Sequence, residues 1–373
     1  IIKENKIEGR IYNFKGDKFI ITIRNNTPKE VMKFAQVIFN EFEKPLDIYN
    51  NQINISFAAA IYELKKELPK ISTQIIFDQI TETLKQAKEL VANKIKIFDE
   101  DISLYVNQKQ QIEFDLEKAI KEKQFIVYLQ PQYHTELDRI TGFEALVRWN
   151  HPKYINKSPQ EFIKLAEENG MIIEIGKQIT EETFKVAKQL EKYNVNISLN
   201  VSPIQLLQQG FTEEFLTLFK KYELNANSIT VEITETTLIT SFKLVNEKIK
   251  ILRKNGIKIH LDDFGTGYSS LPYIKELSLD AIKIDRMFIE HLETDKFSKA
   301  LVNMIITLTK QLELQVIAEG VENQQQLKYL AKNGCFNIQG YLISPPLPVD
   351  KAINLLEEYN IKKNKNVLFK GGK

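Results

Sequence analysis

Four carboxylates could bind cations together, because each stands among apolar residues in a short alternating segment. They are Glu144, Glu232, Asp262 and Glu319. Side chains alternate between the two faces of a strand, so these acids lie on the polar face, as does the amide of Asn200. Converging carboxylates repel one another unless cations hold them together. Oxygen ligands of this kind suit Mg²⁺ or Mn²⁺ rather than zinc, and the pattern therefore predicts a metal site.

The neighbouring pair Asp262 and Asp263 adds a second position for a cation. Neighbours on a regular strand face opposite ways, so both can bind metal only where the strand breaks. Gly265 and Gly267 follow and supply that break. Two cations close together activate a bridging water and stabilise both oxygens of an in-line phosphoryl displacement. The simpler interpretation is a capping aspartate before a glycine turn, which the acids on the other segments disfavour.

Two basic residues occupy the same polar faces. Lys283 lies among the acids, and two interpretations stay open: a structural counter-ion, or a group that orients water or steadies an oxyanion. Arg148 shares its face with Glu144 and is one of only six arginines in the chain. Its planar guanidinium is suited to bidentate binding of a phosphate, and we expect it to contact the substrate.

The elements that position these residues alternate regularly between residues 125 and 347. Eight short β-rich runs are separated by longer segments with helical spacing. Alternating βα units indicate a mainly parallel sheet, and eight of them predict a closed (β/α)₈ barrel of the TIM type. Polar residues toward the carboxyl ends of the strands would then lie on the active face of the barrel.

The first hundred residues are typical of a small α+β unit. We predict strands at 18–24 and 53–62, helices at 28–42 and 77–91, and a charged amphipathic helix at 108–123 that acts as a stiff connector. The segment after Tyr359 is basic and predicts a mobile, solvated end. The predicted boundaries are 1–105 for the first domain, 106–123 for the linker helix, 124–361 for the barrel and 362–373 for the basic tail.

Composition limits the classes of partner. The chain has 373 residues, enough for two or three domains, and its 43% hydrophobic content excludes wholesale disorder. A formal charge of +2 gives no reason to expect nucleic acid or an anionic membrane as the main partner. A single cysteine, Cys335, suits a reducing compartment, so we expect a cytoplasmic protein. No apolar stretch is long enough to span a bilayer, and so no membrane segment is expected in this chain.

With these motifs, the region 112–359 resembles the EAL-domain cyclic di-GMP phosphodiesterases of bacterial signalling. The resemblance is carried by GFEALVRWNHP around Glu144, and by NVSP, VEITE, LDDFGTGYSSL, IKIDRMFI, IAEGVE and IQGYL further along the chain. It implies a barrel whose first strand runs antiparallel to the others. It also implies two Mg²⁺ or Mn²⁺ ions and the metal ligands Glu144, Asn200, Glu232, Asp262 and Asp263.

The same resemblance implies roles for the remaining residues of the site. Lys283, Glu319 and Gln339 would position or activate the water, and Glu235 would brace the loop after Asp263. The positions that would line the dinucleotide site are Gln130, Leu146, Arg148, Asp285, Glu322 and Tyr341. Cyclic di-GMP is the implied substrate and the linear dinucleotide pGpG the implied product. A homodimer through the EAL domain is also compatible with the resemblance.

The N-terminal unit resembles the second half of a GGDEF domain in degenerate form. The segment 15–19 reads KGDKF where GGDEF would stand, so lysine replaces the first glycine and the glutamate. No Arg-x-x-Asp pattern precedes it, since residues 6–9 read KIEG. We therefore expect a regulatory unit that makes no cyclic di-GMP, and a regulatory GTP site stays open.

Three interpretations of the whole chain are weighed. The favoured one is a metal-dependent cyclic di-GMP phosphodiesterase. The chief alternative is a non-enzymatic cyclic di-GMP receptor, which would not need to retain Asp263 or Lys283. The third is a metal-dependent carbon–carbon enzyme on the same barrel, which would show no phosphodiester turnover.

Overall fold

A computed structural model of the chain describes residues 9–49, 51–64, 72–91, 94–266 and 274–370. The chain divides into two compact units, Ile1–Phe114 and Asp115–Lys373. The first is a small α+β unit, and the second is a barrel with surrounding helices, as the sequence predicts.

The barrel is a closed sheet of eight strands. They are β7 (Phe125–His134), β8 (Arg139–Trp149), β9 (Asn196–Asn200), β10 (Ile229–Thr234), β11 (Lys258–Phe264), β12 (Ala281–Ile284), β13 (Gln315–Ala318) and β14 (Asn337–Gln339). Neighbours from β8 to β14 are parallel, and β14 pairs with β7 to close the ring. The strand β7 is antiparallel to both of its neighbours, β8 and β14, which confirms the predicted barrel and its reversed first strand. A short strand, β15 (Leu347–Pro348), pairs with Tyr128 and Leu129 of β7, on the edge that also pairs with β14.

Helices cover the outside of this sheet. They are α4 (Pro159–Glu168), α5 (Ile172–Leu190), α6 (Pro203–Leu207), α7 (Phe211–Lys221), α8 (Glu235–Thr240), α9 (Phe242–Lys254), α10 (Arg286–Glu290), α11 (Lys296–Gln311), α12 (Gln324–Lys332) and α13 (Val349–Lys370), with a 3₁₀ turn at Glu191–Tyr193. The strands are buried on both faces, as parallel strands are when helices cover the sheet. In β10, for example, Val231 and Ile233 are buried on one face and Glu232 on the other.

Among its described residues, the N-terminal unit forms three two-stranded sheets and two helices before the connecting helix. Its elements are β1 (Gly9–Lys15), β2 (Lys18–Ile23), α1 (Pro28–Phe42), β3 (Leu46–Ile48), β4 (Asn51–Ile53), β5 (Ala59–Ile61), α2 (Thr73–Glu89) and β6 (Ile95–Ile97). Its small core packs Ala35, Ile61 and Ile95 together. The predicted strand 53–62 is wrong as a single element, since β4 pairs with β3 and β5 with β6. The short strand β6 was missed, because three residues carry almost no periodic signal.

The connecting helix α3 (Glu100–Lys121) begins eight residues before the predicted start at 108. The cause is Asp99, whose Oδ1 accepts a hydrogen bond of 2.9 Å from the backbone nitrogen of Ile102. After the helix, Lys123 adopts a left-handed φ of 53°. The apolar face predicted for this helix contains Leu116, which is fully buried.

The predicted mobile end after Tyr359 differs from the structure, in which α13 continues to Lys370. Residues 371–373 of that predicted tail lie outside the described residues. Among the helices that the structure describes, none is long and apolar enough to cross a membrane.

Candidate active site

Strand register brings the predicted metal ligands to one end of the barrel. Asn200 is the last residue of β9 and is opposite Glu232 on β10. Thr234, two residues further on, is opposite Asp262 on β11. Glu144 on β8, Glu232 and Asp262 each offer an oxygen within 4.8 Å of the others, and all three residues are buried. These three residues are 30, 88 and 118 positions apart in sequence, and they meet only because the parallel strands of the sheet bring them together.

Lys283 lies at the centre of this acidic cluster and is 0% exposed. Its Nζ contacts four carboxylates, at 2.5 Å from Glu232, 2.6 Å from Glu319, 3.1 Å from Asp262 and 3.3 Å from Glu144. Burial opposes its charge, but the surrounding acids outweigh burial and raise the pKa of Lys283 well above its usual value. One ammonium thus faces four acids, and the site still lacks positive charge.

The raised pKa values of two of these acids reflect this lack of positive charge. Burial raises the pKa of Asp262 to about 6, and the nearby Glu232 and Glu144 carboxylates add to the effect although Lys283 opposes it. Burial also raises the pKa of Glu319 well above its usual value, with Asp262 and Glu144 again contributing. Additional positive charge would relieve this repulsion, and carboxylate oxygens are the ligands that a hard divalent cation prefers. The donor set therefore fits such a cation.

Glu144 is held by two side-chain amides. Asn200 Nδ2 donates a hydrogen bond of 2.6 Å to its Oε1, and Gln339 Nε2 donates one of 2.6 Å to its Oε2. Gln339 also donates to Gln130 Oε1 at 3.1 Å, and Gln130 is opposite Glu144 in the β7–β8 ladder. In this arrangement the nitrogen of Asn200 faces Glu144. A ligand role for Asn200 would use the other atom of the amide, Oδ1.

Glu232 is fully buried, and its two oxygens have different surroundings. Its Oε2 accepts the 2.5 Å bond from Lys283, whereas its Oε1 has no hydrogen-bond partner among the described residues. Burial opposes its ionisation, but Lys283 and His260 outweigh burial and lower the pKa of Glu232 to about 2. No role was predicted for His260 from the sequence. The signal available in the sequence was its place in the strand alternation, because His260 and Asp262 lie on the same face of β11.

Asp263 interrupts the regular pairing of β11 but does not end the strand, which continues to Phe264. The φ of Asp263 is 53°, and the pairing of β11 with β12 shifts between Leu261 and Phe264. Asp263 is half-buried and is not one of the three clustered acids. Burial, Asp262 and Asp285 raise its pKa to about 7. The next turn is held by Glu235, whose Oε2 accepts a hydrogen bond of 3.2 Å from the nitrogen of Gly265. Gly267, to which part of the break was attributed, lies outside the described residues.

Apart from Gln130, the predicted substrate contacts fall into two groups. Arg148 and Leu146 are partly exposed on β8, and the Arg148 guanidinium lies 5.3 Å from the centre of the Tyr128 ring. In the second group, Asp285 caps α10 by accepting from Met287 N at 2.7 Å, and Glu322 accepts from Arg286 at 2.8 Å. The Arg286 guanidinium also lies 6.0 Å from the ring centre of Tyr341, which is exposed.

Known proteins are similar to this chain along most of its length, and solved structures share the fold of its barrel. A family model described as EAL domain matches residues 113–346. The cyclic di-GMP phosphodiesterase PdeR of Escherichia coli is 32% identical over 335 residues, which cover 89% of this chain and 50% of PdeR. The bifunctional diguanylate cyclase/cyclic di-GMP phosphodiesterase MucR of Pseudomonas aeruginosa is 28% identical over 360 residues, covering 93% of this chain and 51% of MucR. The chain thus spans about half the length of these curated relatives.

A solved structure agrees with the sequence matches. The PaMucR phosphodiesterase in complex with c-di-GMP superposes with a TM-score of 0.63 at 33% identity, and the match covers 65% of this chain and 99% of that one. Residues 1–112, which form most of the N-terminal unit, lie outside the residues that the family model matches.

Proposed function

Because this chain belongs to the EAL domain family, we propose that its barrel hydrolyses cyclic di-GMP to the linear dinucleotide pGpG, using Mg²⁺ or Mn²⁺. The observation that carries the proposal is the buried cluster of Glu144, Glu232 and Asp262 around Lys283, at the carboxyl ends of the barrel strands. The names of the relatives support the same substrate.

In this proposal Glu144, Asn200, Glu232 and Asp262 would hold one cation, and Asp263 would contribute to the site of a second. Bound cations would lower the pKa of a water molecule and stabilise the charge that develops on the phosphoryl oxygens. The water oxygen bonds to one phosphorus as the bond from that phosphorus to a ribose 3′ oxygen breaks. The opened ring keeps the phosphate on the 5′ side.

The residues next to the cluster direct the water and its proton. Glu319 contacts Lys283, and Gln339 contacts Glu144, so both lie beside the metal ligands. We assign the positioning or activation of the water to Lys283, Glu319 and Gln339. Glu235 acts at a distance, because its bond to Gly265 holds the turn that carries Asp263.

Arg148 is proposed to bind a phosphate of the substrate. It is partly buried, and burial lowers the pKa of its guanidinium. Among the described residues, no carboxylate lies within ion-pairing distance of it, although it donates to the carbonyl of Val147 at 2.8 Å. A cation held in this way can bind an anionic ligand. The further proposed substrate contacts are Gln130, Leu146, Asp285, Glu322 and Tyr341.

The proposal for the whole chain has a regulatory N-terminal unit of degenerate GGDEF type. Support comes from the KGDKF turn between β1 and β2, and from the alignment of a bifunctional cyclase/phosphodiesterase with 93% of the chain. The proposed boundaries remain 1–105, 106–123, 124–361 and 362–373. A homodimer through the EAL domain and a cytoplasmic location complete the proposal. The single cysteine, Cys335, is buried and free, which suits a reducing compartment.

The test is incubation of the purified chain with cyclic di-GMP and Mg²⁺ or Mn²⁺, with products separated by chromatography. We expect pGpG to accumulate, and chelation of the metal to stop the reaction. Glu144→Ala removes a ligand and should reduce turnover by several powers of ten while the fold survives. The matched control is Glu136→Ala, which removes an exposed acid at the turn between β7 and β8.

Each failure has a distinct meaning. Binding of cyclic di-GMP without turnover by the parent would leave the receptor interpretation. Neither binding nor turnover would favour the carbon–carbon enzyme. Near-normal hydrolysis by the Glu144→Ala variant would show that Glu144 is not a ligand.

A further inference from the structure

A buried histidine lies inside the barrel, beside the candidate metal site. His260 is on β11, on the same face as Asp262, and is 5% exposed. The parallel register places it directly opposite Glu232 on β10. The polar face of this strand therefore carries a histidine one step deeper in the barrel than Asp262.

Two atoms at this position lack hydrogen-bond partners and lie close to each other. His260 Nδ1 and Glu232 Oε1 are both buried, and neither has a hydrogen bond within the described part of the chain. The distance between them is 3.6 Å, a few tenths of an ångström beyond a hydrogen bond. Buried polar atoms are almost always hydrogen-bonded. A small movement of either side chain would satisfy both atoms at once.

The other oxygen of the same carboxylate faces the cluster. Glu232 Oε2 is 2.5 Å from Lys283 Nζ, which also contacts Glu144 and Asp262. The carboxylate of Glu232 thus has one oxygen toward His260 and the other toward the centre of the acidic cluster. A carboxylate free to rotate would lose this orientation, and a cation would have to restore it on binding.

We infer that His260 is a positioning residue for metal binding: its Nδ1–H donates to Glu232 Oε1 and so orients Oε2 toward the cation. This inference rests on the proposed metal-dependent function. It requires only the neutral imidazole with the proton on Nδ1, which is a donor at that atom. Groups that hydrogen-bond to metal ligands typically change metal affinity by about 10- to 100-fold when they are removed.

The alternative is that His260 only fills space between β10 and β11. The two roles separate when the donor is removed but the volume is kept. His260→Leu supplies an apolar side chain of comparable size without a donor. His260→Asn is the matched control, because its Nδ2 can place an N–H group close to the position of Nδ1.

The experiment is calorimetric titration of the full chain with Mn²⁺ in the absence of nucleotide. We expect the Kd for Mn²⁺ to rise by about 10- to 100-fold in the His260→Leu variant. In the His260→Asn variant, we expect Kd within about threefold of the parent, because the donor is restored. Thermal unfolding of each variant monitors the fold. If the leucine variant does not fold, His260→Ala takes its place as the variant without a donor.

Turnover gives a second measurement. With the donor removed, saturating Mn²⁺ should restore most of kcat, and KM for cyclic di-GMP should stay near that of the parent, because only metal affinity has changed. A donor-free variant that binds Mn²⁺ as tightly as the parent would overturn the inference. So would an asparagine variant as weak as the leucine variant.

These outcomes are distinct from a failure of the proposed function. If the parent binds Mn²⁺ and the donor-free variant binds it equally tightly, His260 has no positioning role and the proposed function stands. If the parent itself binds no Mn²⁺, the proposed metal site is wrong, and the role of His260 falls with it.

Discussion

At the scale of the residue, Asp263 lies apart from the three clustered acids and is proposed to serve a second cation position. Its left-handed backbone turns it out of the alternation that places Asp262 inside the cluster. Glu144, Glu232 and Asp262 can therefore hold one cation without it. Asp263 instead lies near Asp285, whose charge contributes to its raised pKa. In the proposed mechanism Asp263 would contribute to a second cation site, so we expect its substitution to affect hydrolysis more than substrate binding.

The Asp263→Asn variant tests that separation. The substitution keeps the shape of the side chain and removes its charge, so a second cation should bind more weakly. We expect binding of cyclic di-GMP within about tenfold of the parent, and hydrolysis at least about 100-fold slower. Excess Mn²⁺ should restore part of the rate by refilling the site. Calorimetry and a turnover assay measure the two effects, and loss of binding would show that Asp263 contacts the nucleotide or supports the fold.

Arg148 makes a different prediction, because it is proposed to bind a phosphate rather than metal. Arg148→Lys keeps the charge but loses the planar pair of donors. We expect KM to rise more than kcat falls, since the lost interaction exists in both the ground state and the transition state. Steady-state kinetics are the measurement. Arg139→Lys, at the exposed start of the same strand, is the matched control. An unchanged KM would argue against a substrate contact.

At the scale of the element, the helix α3 carries side chains of very different exposure. Leu116 is fully buried, whereas Phe114, two residues earlier, is 66% exposed. The carbonyl of Ile120, near the end of the same helix, accepts a hydrogen bond of 2.7 Å from Gln178 on α5. The C-terminal part of the helix is therefore part of the packing around the barrel.

Truncation of these two side chains should have different effects. Leu116→Ala leaves a cavity and should lower the free energy of unfolding by about 2–5 kcal/mol. Phe114→Ala removes a larger side chain from an exposed position and should change it by less than about 0.5 kcal/mol. Urea unfolding followed by circular dichroism measures both. Equal losses in the two variants would contradict the burial seen here.

At the scale of the whole molecule, the N-terminal unit and the barrel are expected to differ in chemistry. The turn between β1 and β2 has Gly16 at a φ of 58°, and the strand register pairs Lys15 with Lys18 across it. In the proposed degenerate GGDEF unit, lysines thus stand where close phosphate approach and a carboxylate would be needed. Positive charge at the turn is still compatible with attraction of a nucleotide.

The corresponding prediction is that the full chain forms no cyclic di-GMP from GTP. Incubation with GTP and Mg²⁺ followed by chromatography measures this directly. The Glu144→Ala variant should be assayed in parallel, because it should hydrolyse too slowly to remove any cyclic di-GMP that the N-terminal unit forms. Cyclic di-GMP accumulation in that variant would contradict the prediction.

Sequence by itself determined the class of the barrel and the chemical type of its ligands. Both follow from local periodicity: alternation assigns Glu144, Glu232 and Asp262 to the polar face of their strands, and the order of βα units predicts the parallel sheet. It also placed α1 at the observed residues 28–42. Short elements such as β6 were not predicted, because the few residues in them carry little periodic signal.

Only the tertiary structure decided which of those polar groups meet. The contact of Lys283 with four acids depends on the register of several strands that are far apart in the chain. The juxtaposition of His260 with Glu232 depends on the register of β10 against β11 alone. The alternation of side chains along a strand gives the face on which a side chain lies, but not its partner on the next strand. Backbone hydrogen bonding across the sheet fixes that partner, and the packing of the closed barrel holds it there.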